Sequence, residues 1–270
     1  MNATATIRKR FSAEAENWDR LYDTSPSSIY EHNLWERRRT ALAYAGRTPG
    51  RILDVGCGPG NVTIELPESA DITATDFAVP MLRNAQTAAH DRRKSVDLAA
   101  SDATAIPFGD ETFDTVMALG LMEYIPSPES VLAEMTRILA PGGNLVISLP
   151  NAASPFIKVD DALKTIKNAV TQVLIPARIR RRVKALLGKL DAPYYFTHNR
   201  HRFEVEATAN TLMQLGYDIE SQKYHTFGFG VLNWVRLNQW LNRKLETYTE
   251  THPNLEKLGW TIVLKAKKRS

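Results

Sequence analysis

The chain has a single cysteine and no long apolar run, and these absences exclude several classes of protein. Cys57 cannot form a disulfide within the chain, which excludes a disulfide-stabilised secreted scaffold and predicts a reducing, cytoplasmic compartment. No apolar stretch approaches the roughly 20 residues that a membrane-spanning helix needs. The first residues lack an apolar signal-peptide core, so no secretion signal is predicted. No repeat of about 20–50 residues is visible, which argues against a solenoid or a propeller.

The composition is that of a globular protein with one unusually basic segment. The 270 residues, 43% of them apolar, suit one large α/β domain or a core with a sizeable insertion. Residues 151–190 hold nine basic and two acidic side chains, a local charge of +7 within a net charge of +4. The rest of the chain therefore carries −3, and the basicity belongs to that segment.

A glycine-rich turn in residues 51–60, RILDVGCGPG, organises the chain. The apolar residues before Gly56 predict a buried parallel strand, and residues 61–66 can open a helix. Gly56, Gly58 and Gly60 suit a sharp strand-to-helix turn that needs positive φ and lets a ligand approach the backbone. Alone, such a turn is shared by nucleotide, flavin and dinucleotide binders.

Strands and helices alternate after this turn. Strands are predicted near 51–55, 72–75, 96–99, 113–118 and 144–149, with helices near 61–66, 78–90 and 128–139. A helix near 203–215, a strand near 217–224, a helix near 231–248 and a strand near 260–267 follow. This alternation predicts an α/β fold with a mostly parallel sheet covered by helices on both faces.

Four ordered motifs between residues 51 and 151 resemble those of the class I S-adenosylmethionine (SAM) dependent methyltransferases. They read LDVGCGPG, TATDFAVPML, SDATAIPFGDETFDTV and LAPGGNLVISLPN. The resemblance implies a Rossmann-like seven-stranded sheet, mostly parallel, that ends in an antiparallel hairpin. It also implies four parts: an N-terminal helical cap (1–50), a SAM-binding core (51–151), a basic helical insert or lid (152–202), and the rest of the core with a helical substrate lid (203–270).

The resemblance implies SAM as the cofactor and indicates where it would bind. The matching positions are Asp54, Gly56, Gly58, Gly60, Asp76, Phe77, Met81, Asp102, Ala103, Leu119 and Gly120. Asp54, Gly56 and Gly58 would approach the amino-acid end of SAM, and Leu119 and Gly120 would pass beneath it, while Gly60 permits close packing. Asp76 would accept both ribose hydroxyls, although an aspartate there also suits a helix N-cap. Phe77 and Met81 would lie along the adenine, whose amino group Asp102 and Ala103 would bind.

The proton acceptor is less sharply indicated. Residues 120–125, GLMEYI, stand where many relatives carry Leu-Glu-His-Val, so Glu123 matches but Tyr124 replaces the histidine. This replacement argues against a histidine base there and against the metal-assisted mechanism of ubiquinone-pathway O-methyltransferases, so no metal is predicted. His198 and His201 lie in an aromatic, histidine-rich stretch and are further candidates, because a histidine can accept a proton near neutral pH. His225 is a third candidate.

Two segments outside the motifs allow more than one interpretation. The aromatic residues ahead of residue 51, among them Phe11, Trp18 and Tyr30, either cover the cofactor or pack helices against the sheet edge. Residues 158–190 predict two amphipathic helices with a basic face on the second. That segment is interpreted as a peripheral membrane element, a lid over the acceptor, or a solvated helix packed on the core. RNA contacts are compatible with the charge, but no RNA-reading module accompanies it, so nucleic acid is not a predicted partner.

The predicted function is methyl transfer from SAM to a small, lipophilic or aromatic acceptor, with O-methylation favoured. The position of the basic insert resembles that of the membrane-associating insert of ubiquinone-pathway O-methyltransferases. An RNA methyltransferase and a non-catalytic binding module of the same fold are the alternatives. A nicotinamide-dependent oxidoreductase fits the later motifs poorly.

Overall fold

A computed structural model of the chain describes residues 7–9, 11–13, 15, 18, 26, 28–46, 50–174, 201–230 and 236–270. His198 and the second predicted helix of the basic insert lie outside the described residues.

Seven strands form one sheet in the order β3-β2-β1-β4-β5-β7-β6. They are β1 (Arg51–Val55), β2 (Asp71–Asp76), β3 (Asp97–Ala100), β4 (Phe113–Ala118), β5 (Leu139–Pro150), β6 (Tyr217–His225) and β7 (Thr261–Lys268). The first five are parallel, and β7 runs antiparallel to both β5 and β6. The predicted Rossmann-like fold with an antiparallel terminal hairpin is confirmed.

Helices surround this sheet. They are α1 (Ile29–Ala45), α2 (Val79–Asp91), α3 (Pro128–Ile138), α4 (Pro155–Leu174), α5 (Val205–Gln214), α6 (Arg236–Thr251) and α7 (Pro253–Glu256). The helix predicted at 61–66 is wrong, because only a 3-10 turn forms at Thr63–Glu65. Leu66 precedes Pro67, whose ring disfavours helical backbone at the residue before it, and Leu66 is accordingly extended at ψ 157°.

The two faces of the sheet bury alternate residues of each central strand. In β1, Leu53 packs with residues of α3 and α5, whereas its neighbour Ile52 packs on the opposite face with Ala41 and Ala45 of α1. This period of two is that of a strand buried on both faces. The packing fixes α1 against the sheet, and α1 carries residues of the site described below.

The apolar residues of α4 and of α6 are only partly buried. On α4, Val159, Leu163 and Ile166 are 42%, 43% and 58% exposed. The same helix buries Asp160, whose carboxylate accepts the backbone N–H of Gly230 at 2.5 Å.

On α6, Leu241 and Leu245 pack with the buried ring of Phe227, but Leu237 and Trp240 are more than half exposed. The apolar residues of α6 are therefore divided between the core and the surface. Within the described part of the chain, no helix combines the length and apolar character needed to cross a membrane.

Candidate active site

A cleft of about 1190 Å³, open mouth included, lies at the carboxyl ends of β1, β2 and β4. Ligands of parallel α/β sheets bind at this edge. The predicted positions that line it are Asp54, Gly56, Gly58, Asp76, Phe77, Met81, Asp102, Ala103, Leu119, Gly120, Glu123 and Tyr124. Gly60 instead faces α2, where an added Cβ would lie 2.9 Å from the Cβ of Ala85.

The glycine turn is held against the end of β2 and leaves space toward the cleft. The backbone N–H groups of Gly56 and Cys57 both donate to the carbonyl of Thr75, at 2.7 and 2.9 Å. Gly56 and Gly58 have φ values of +71° and +55°, which strain other residue types. A Cβ on Gly58 would meet no atom within 4 Å, so this backbone is open to a ligand.

Asp76 ends β2 with its carboxylate fixed by two backbone donors. One oxygen accepts the N–H of Gly58 at 3.0 Å and the other accepts the N–H of Ala78 at 2.8 Å. The N-cap of α2 is Ala78, so Asp76 is not the N-cap that the sequence allowed as an alternative. Burial raises the pKa of Asp76, and backbone hydrogen bonds from Ala78, Gly58 and Phe77 oppose that rise. Each oxygen keeps a lone pair for a second donor in the cleft.

Asp54 lies beneath the glycine turn with 2% of its surface exposed. Its carboxylate accepts the hydroxyl of Thr63 at 2.7 Å. Burial raises the pKa of Asp54 to about 6; the Thr63 hydrogen bond and the charge of Arg37 lower it, and the charge of Asp76 raises it. Asp54 therefore titrates just below neutral pH.

Arg37 was not predicted as a site residue, yet it lines the cleft from α1 and is only 8% exposed. Its guanidinium occupies the space beside Gly120, where any Cβ would overlap it. The sequence placed Arg37 on a helix but gave no indication that this arginine would be buried.

The aromatic residues near the N-terminus form a wall of the cleft, and two of them, Trp18 and Tyr30, also pack in a buried cluster with Met81 of α2. Phe11, Trp18 and Tyr30 line the cleft together with Phe77 and Tyr124. The ring of Phe11 packs edge-on against Tyr124, with centroids 5.0 Å apart, and lies 6.2 Å from the ring of Phe77. The wall gives the cleft an apolar, aromatic boundary.

Glu123 is a buried acid with an unused acceptor in this cleft. It is 4% exposed, and among the described residues its Oε2 has no hydrogen-bond partner. Leaving a buried carboxylate oxygen unpaired is costly, so a ligand or a bound water would supply its partner.

The histidine candidates differ in their placement. The backbone N–H of His201 donates to the carbonyl of Glu123 at 2.9 Å, but its side chain is exposed and is not among the described residues that line the cleft. His225 is 1% exposed and lines a different cavity. Burial holds its pKa well below the usual value.

Cys57 lines the cleft, and its thiol is 3.5 Å from the carbonyl oxygen of Gly58. Burial raises its pKa well above the usual value, which disfavours a nucleophilic thiolate. Cys57 therefore fits the role of a small turn residue.

Comparison with known proteins gives consistent matches. The family "Methyltransferase domain" matches residues 53–147. The chain is 34% identical to phosphatidylethanolamine N-methyltransferase of Cereibacter sphaeroides over 154 residues, 56% of this chain and 74% of that protein. It is 37% identical to demethylmenaquinone methyltransferase of Renibacterium salmoninarum over 149 residues, 53% of this chain and 61% of the relative, so the match spans less than two thirds of the latter.

Among solved structures, magnesium protoporphyrin IX methyltransferase from Synechocystis with bound SAH superposes with a TM-score of 0.64 at 15% identity. The superposition covers 99% of this chain and 100% of that one. At this identity the likeness shows the fold alone.

Proposed function

The chain belongs to the class I SAM-dependent methyltransferases, and from this premise we propose that it methylates a hydroxyl oxygen of a small lipophilic or aromatic acceptor. SAM supplies a methyl group made electrophilic by its sulfonium. The chain's residues bind SAM, orient the acceptor and take up one proton. The observation that carries this proposal is the buried, unpaired oxygen of Glu123 in a cleft with aromatic walls.

The residues at the strand ends fit the adenosine part of SAM. The Asp76 carboxylate, fixed by Gly58 and Ala78, would accept the two ribose hydroxyls with its remaining lone pairs. Phe77, Met81, Asp102 and Ala103 all line the cleft. Phe77 and Met81 would offer apolar surface to the adenine, and Asp102 and Ala103 would bind its amino group.

The amino-acid end of SAM carries an ammonium and a carboxylate, and the cleft offers a partner for each. The buried Asp54 would pair with the ammonium near Gly56, and the guanidinium of Arg37 beside Gly120 would pair with the carboxylate. Leu119 would pack beneath this end of the cofactor. The opposed charges of Asp54 and Arg37 favour a zwitterionic group in one orientation.

The rest of the cleft would hold the acceptor. The wall formed by Phe11, Trp18 and Tyr30 suits a flat or greasy molecule. Two relatives are named for phosphatidylethanolamine and demethylmenaquinone, both hydrophobic molecules, which supports a lipophilic acceptor over RNA.

Glu123 is proposed as the proton acceptor. SAM, when bound, would supply the methyl group to the acceptor oxygen and leave as its demethylated product, while the acceptor gives up its hydroxyl proton. The hydroxyl proton passes to Oε2 of Glu123, the atom that has no partner in the described structure. Tyr124, which also lines the cleft, would contact the acceptor. His198 and His201 stay predictions as proton acceptors.

The test replaces Glu123 with glutamine, which keeps shape but removes the base. Glu123→Gln should bind SAM like the unmodified protein yet lower the rate of methylation by about 100-fold or more. Formation of demethylated SAM would be followed with a panel of phenols, quinols and amines as acceptors.

Two further variants make that result interpretable. Glu129→Gln, at an exposed glutamate on α3, should change neither quantity. Asp76→Ala should abolish SAM binding measured by calorimetry. Full activity of Glu123→Gln would remove Glu123 from the mechanism, and methylation of amines alone would overturn the oxygen assignment.

A further inference from the structure

The backbone of Gly120, which lines the methyl-transfer cleft, is held by a side chain of the neighbouring strand. The parallel pairing of β4 with β5 ends at Ala118 and Ile147. Two residues beyond Ala118, the N–H of Gly120 donates to the hydroxyl oxygen of Ser148 at 2.8 Å. A serine hydroxyl therefore takes the place of a backbone carbonyl as the acceptor that fixes this N–H.

Ser148 is a polar residue on a face of β5 that is buried against α1. Its neighbours on either side in the strand, Ile147 and Leu149, belong to the core on the opposite face, whereas Val146 packs with residues of α1. Ser148 shares the face of Val146, because side chains along a strand alternate, and it is 1% exposed. A buried hydroxyl costs free energy unless it is hydrogen-bonded, so packing alone does not account for a serine here.

Ser148 is not among the described residues that line the cleft, so it can act on a ligand there only through Gly120. Gly120 has φ +68°, a conformation that favours glycine. An added Cβ would lie 2.8 Å from Cζ and 2.9 Å from Nη2 of Arg37 and would also overlap Nη1. The flat guanidinium therefore lies directly against the Gly120 backbone, and a shift of that backbone changes the support on which it rests.

The orientation of the guanidinium matters for the ligand that Arg37 is proposed to bind. A guanidinium binds a carboxylate through two parallel N–H donors, and this paired geometry depends on the plane of the group. A contact that fixes this plane therefore contributes to carboxylate binding without touching the carboxylate.

We propose that Ser148 is a positioning residue for the amino-acid end of SAM. Ser148 holds Gly120, Gly120 supports the plane of the Arg37 guanidinium, and Arg37 presents two donors to the carboxylate. This inference rests on the cofactor contacts proposed above. The adenosine part of SAM is assigned to Asp76 and its neighbours, which do not depend on these contacts. Ser148 therefore contributes to the affinity for the amino-acid end and not to that for adenosine.

The test compares two ligands that differ in the amino-acid end. SAM carries the ammonium and the carboxylate, whereas 5′-methylthioadenosine keeps the adenosine and the sulfur but has neither group. Ser148→Ala should weaken SAM binding about tenfold, because a buried N–H that loses its acceptor is left unpaired or moves. It should leave the affinity for 5′-methylthioadenosine unchanged. Calorimetry measures both affinities, and Ser148→Thr, which keeps a hydroxyl, should restore most of the SAM affinity.

Two further variants separate positioning from a general loss of structure. Ser154→Ala removes another fully buried serine hydroxyl, which donates to the carbonyl of Leu258 at 2.8 Å outside the cleft. It should change neither affinity. Arg37→Lys keeps the cation but loses the flat guanidinium, and in this background Ser148→Ala should weaken SAM binding little further, because residues that act through one contact are not additive.

The possible results distinguish this inference from the function on which it rests. Equal weakening of both ligands by Ser148→Ala, unchanged SAM affinity, or full additivity with Arg37→Lys would overturn the positioning role and leave the cofactor assignment intact. Failure of the unmodified chain to bind either ligand would instead reject the proposed function, and the positioning role with it.

Discussion

At the scale of single residues, two buried carboxylates of the methyl-transfer cleft have different surroundings. Asp76 accepts two backbone N–H groups, whereas Asp54 accepts only the Thr63 hydroxyl in the described structure. Fewer donors leave the ionised form of Asp54 less well compensated for its burial. Asp54 is therefore the acid whose protonation state should change near pH 6.

Asp54 should make stability fall as pH rises from about 4 to about 6. Its pKa is raised from 3.8 to about 6 in the folded chain, so in this window the folded state binds a proton that the unfolded state releases. The folded state then loses roughly 3 kcal/mol of stability across the window. Denaturant unfolding without SAM, compared between the unmodified chain and Asp54→Asn, isolates this contribution. A difference between the two that does not vary with pH would contradict it.

The same group should give SAM binding the opposite pH dependence. The ammonium of SAM favours ionised Asp54, so affinity should weaken as pH falls below about 6. Asp54→Asn should bind SAM more weakly at pH 7 and show little change from pH 7 to pH 5. Calorimetric titrations at both pH values check this. An equally steep pH dependence in the variant would assign it to another group.

The site residues that the sequence identified are those whose partners lie nearby in the chain. Gly58 and Asp76 are 18 residues apart. Both belong to motifs in which a strand, a turn and an acidic residue follow one another in a fixed order along the chain. Arg37 could not be found this way, because nothing local distinguishes a buried arginine on α1 from an exposed one. The same holds for Ser148, whose hydroxyl meets Gly120 only because β4 and β5 pair.

At the scale of elements, the glycine turn and α2 are in direct contact through Gly60. Gly60 has φ +85°, and an added Cβ would lie 2.9 Å from Cβ and 3.0 Å from Cα of Ala85. Gly58 has φ +55° but open space around an added Cβ. Replacing Gly58 by alanine therefore tests backbone strain alone, whereas replacing Gly60 tests strain together with packing against α2.

Gly60→Ala should destabilise the chain by roughly 2–4 kcal/mol, since strain of about 1–2 kcal/mol adds to an overlap with the α2 backbone. Gly58→Ala should cost only the strain, and its methyl group should instead obstruct SAM. Denaturant unfolding and SAM titration of both variants test this. Equal losses of stability would show that the contact with Ala85 relaxes freely.

The helices and strands were predictable where the local sequence pattern determines them. The apolar runs of β1 and β4 are bounded by turn residues, and both strands were predicted at their observed limits. The helix predicted at 61–66 failed because Pro67 restricts its neighbour, a local effect stronger than the apolar pattern. The exposure of the apolar residues of α4 was not predictable. Periodicity shows which residues share one face of the helix, but it does not show whether another element covers that face.

At the scale of the whole molecule, exposed apolar residues and a cluster of basic residues occur in neighbouring segments of the chain. The exposed residues Val159, Leu163 and Ile166 of α4 precede the basic run of residues 178–189. Apolar side chains together with clustered cations are the features by which peripheral proteins bind anionic membranes. We propose that this segment brings the cleft to a membrane-held acceptor.

Replacing Arg180, Arg181 and Arg182 with glutamine should weaken association with anionic liposomes by about 100-fold at low salt. The estimate follows from roughly 1 kcal/mol for each basic residue at such a surface. SAM affinity should not change, because these residues contribute nothing to the proposed cofactor contacts. Sedimentation with vesicles of phosphatidylserine and phosphatidylcholine measures the first quantity and calorimetry the second.

A control with the same change in net charge distinguishes a local membrane surface from general electrostatic attraction. Arg83, Arg92 and Lys267 are exposed cations on the core, and their joint replacement by glutamine should reduce liposome binding far less. If both triple variants lose binding equally, the attraction is a property of the net charge. If neither loses binding but the first raises KM for a soluble acceptor, the segment acts as a lid, because it then affects acceptor binding without any membrane.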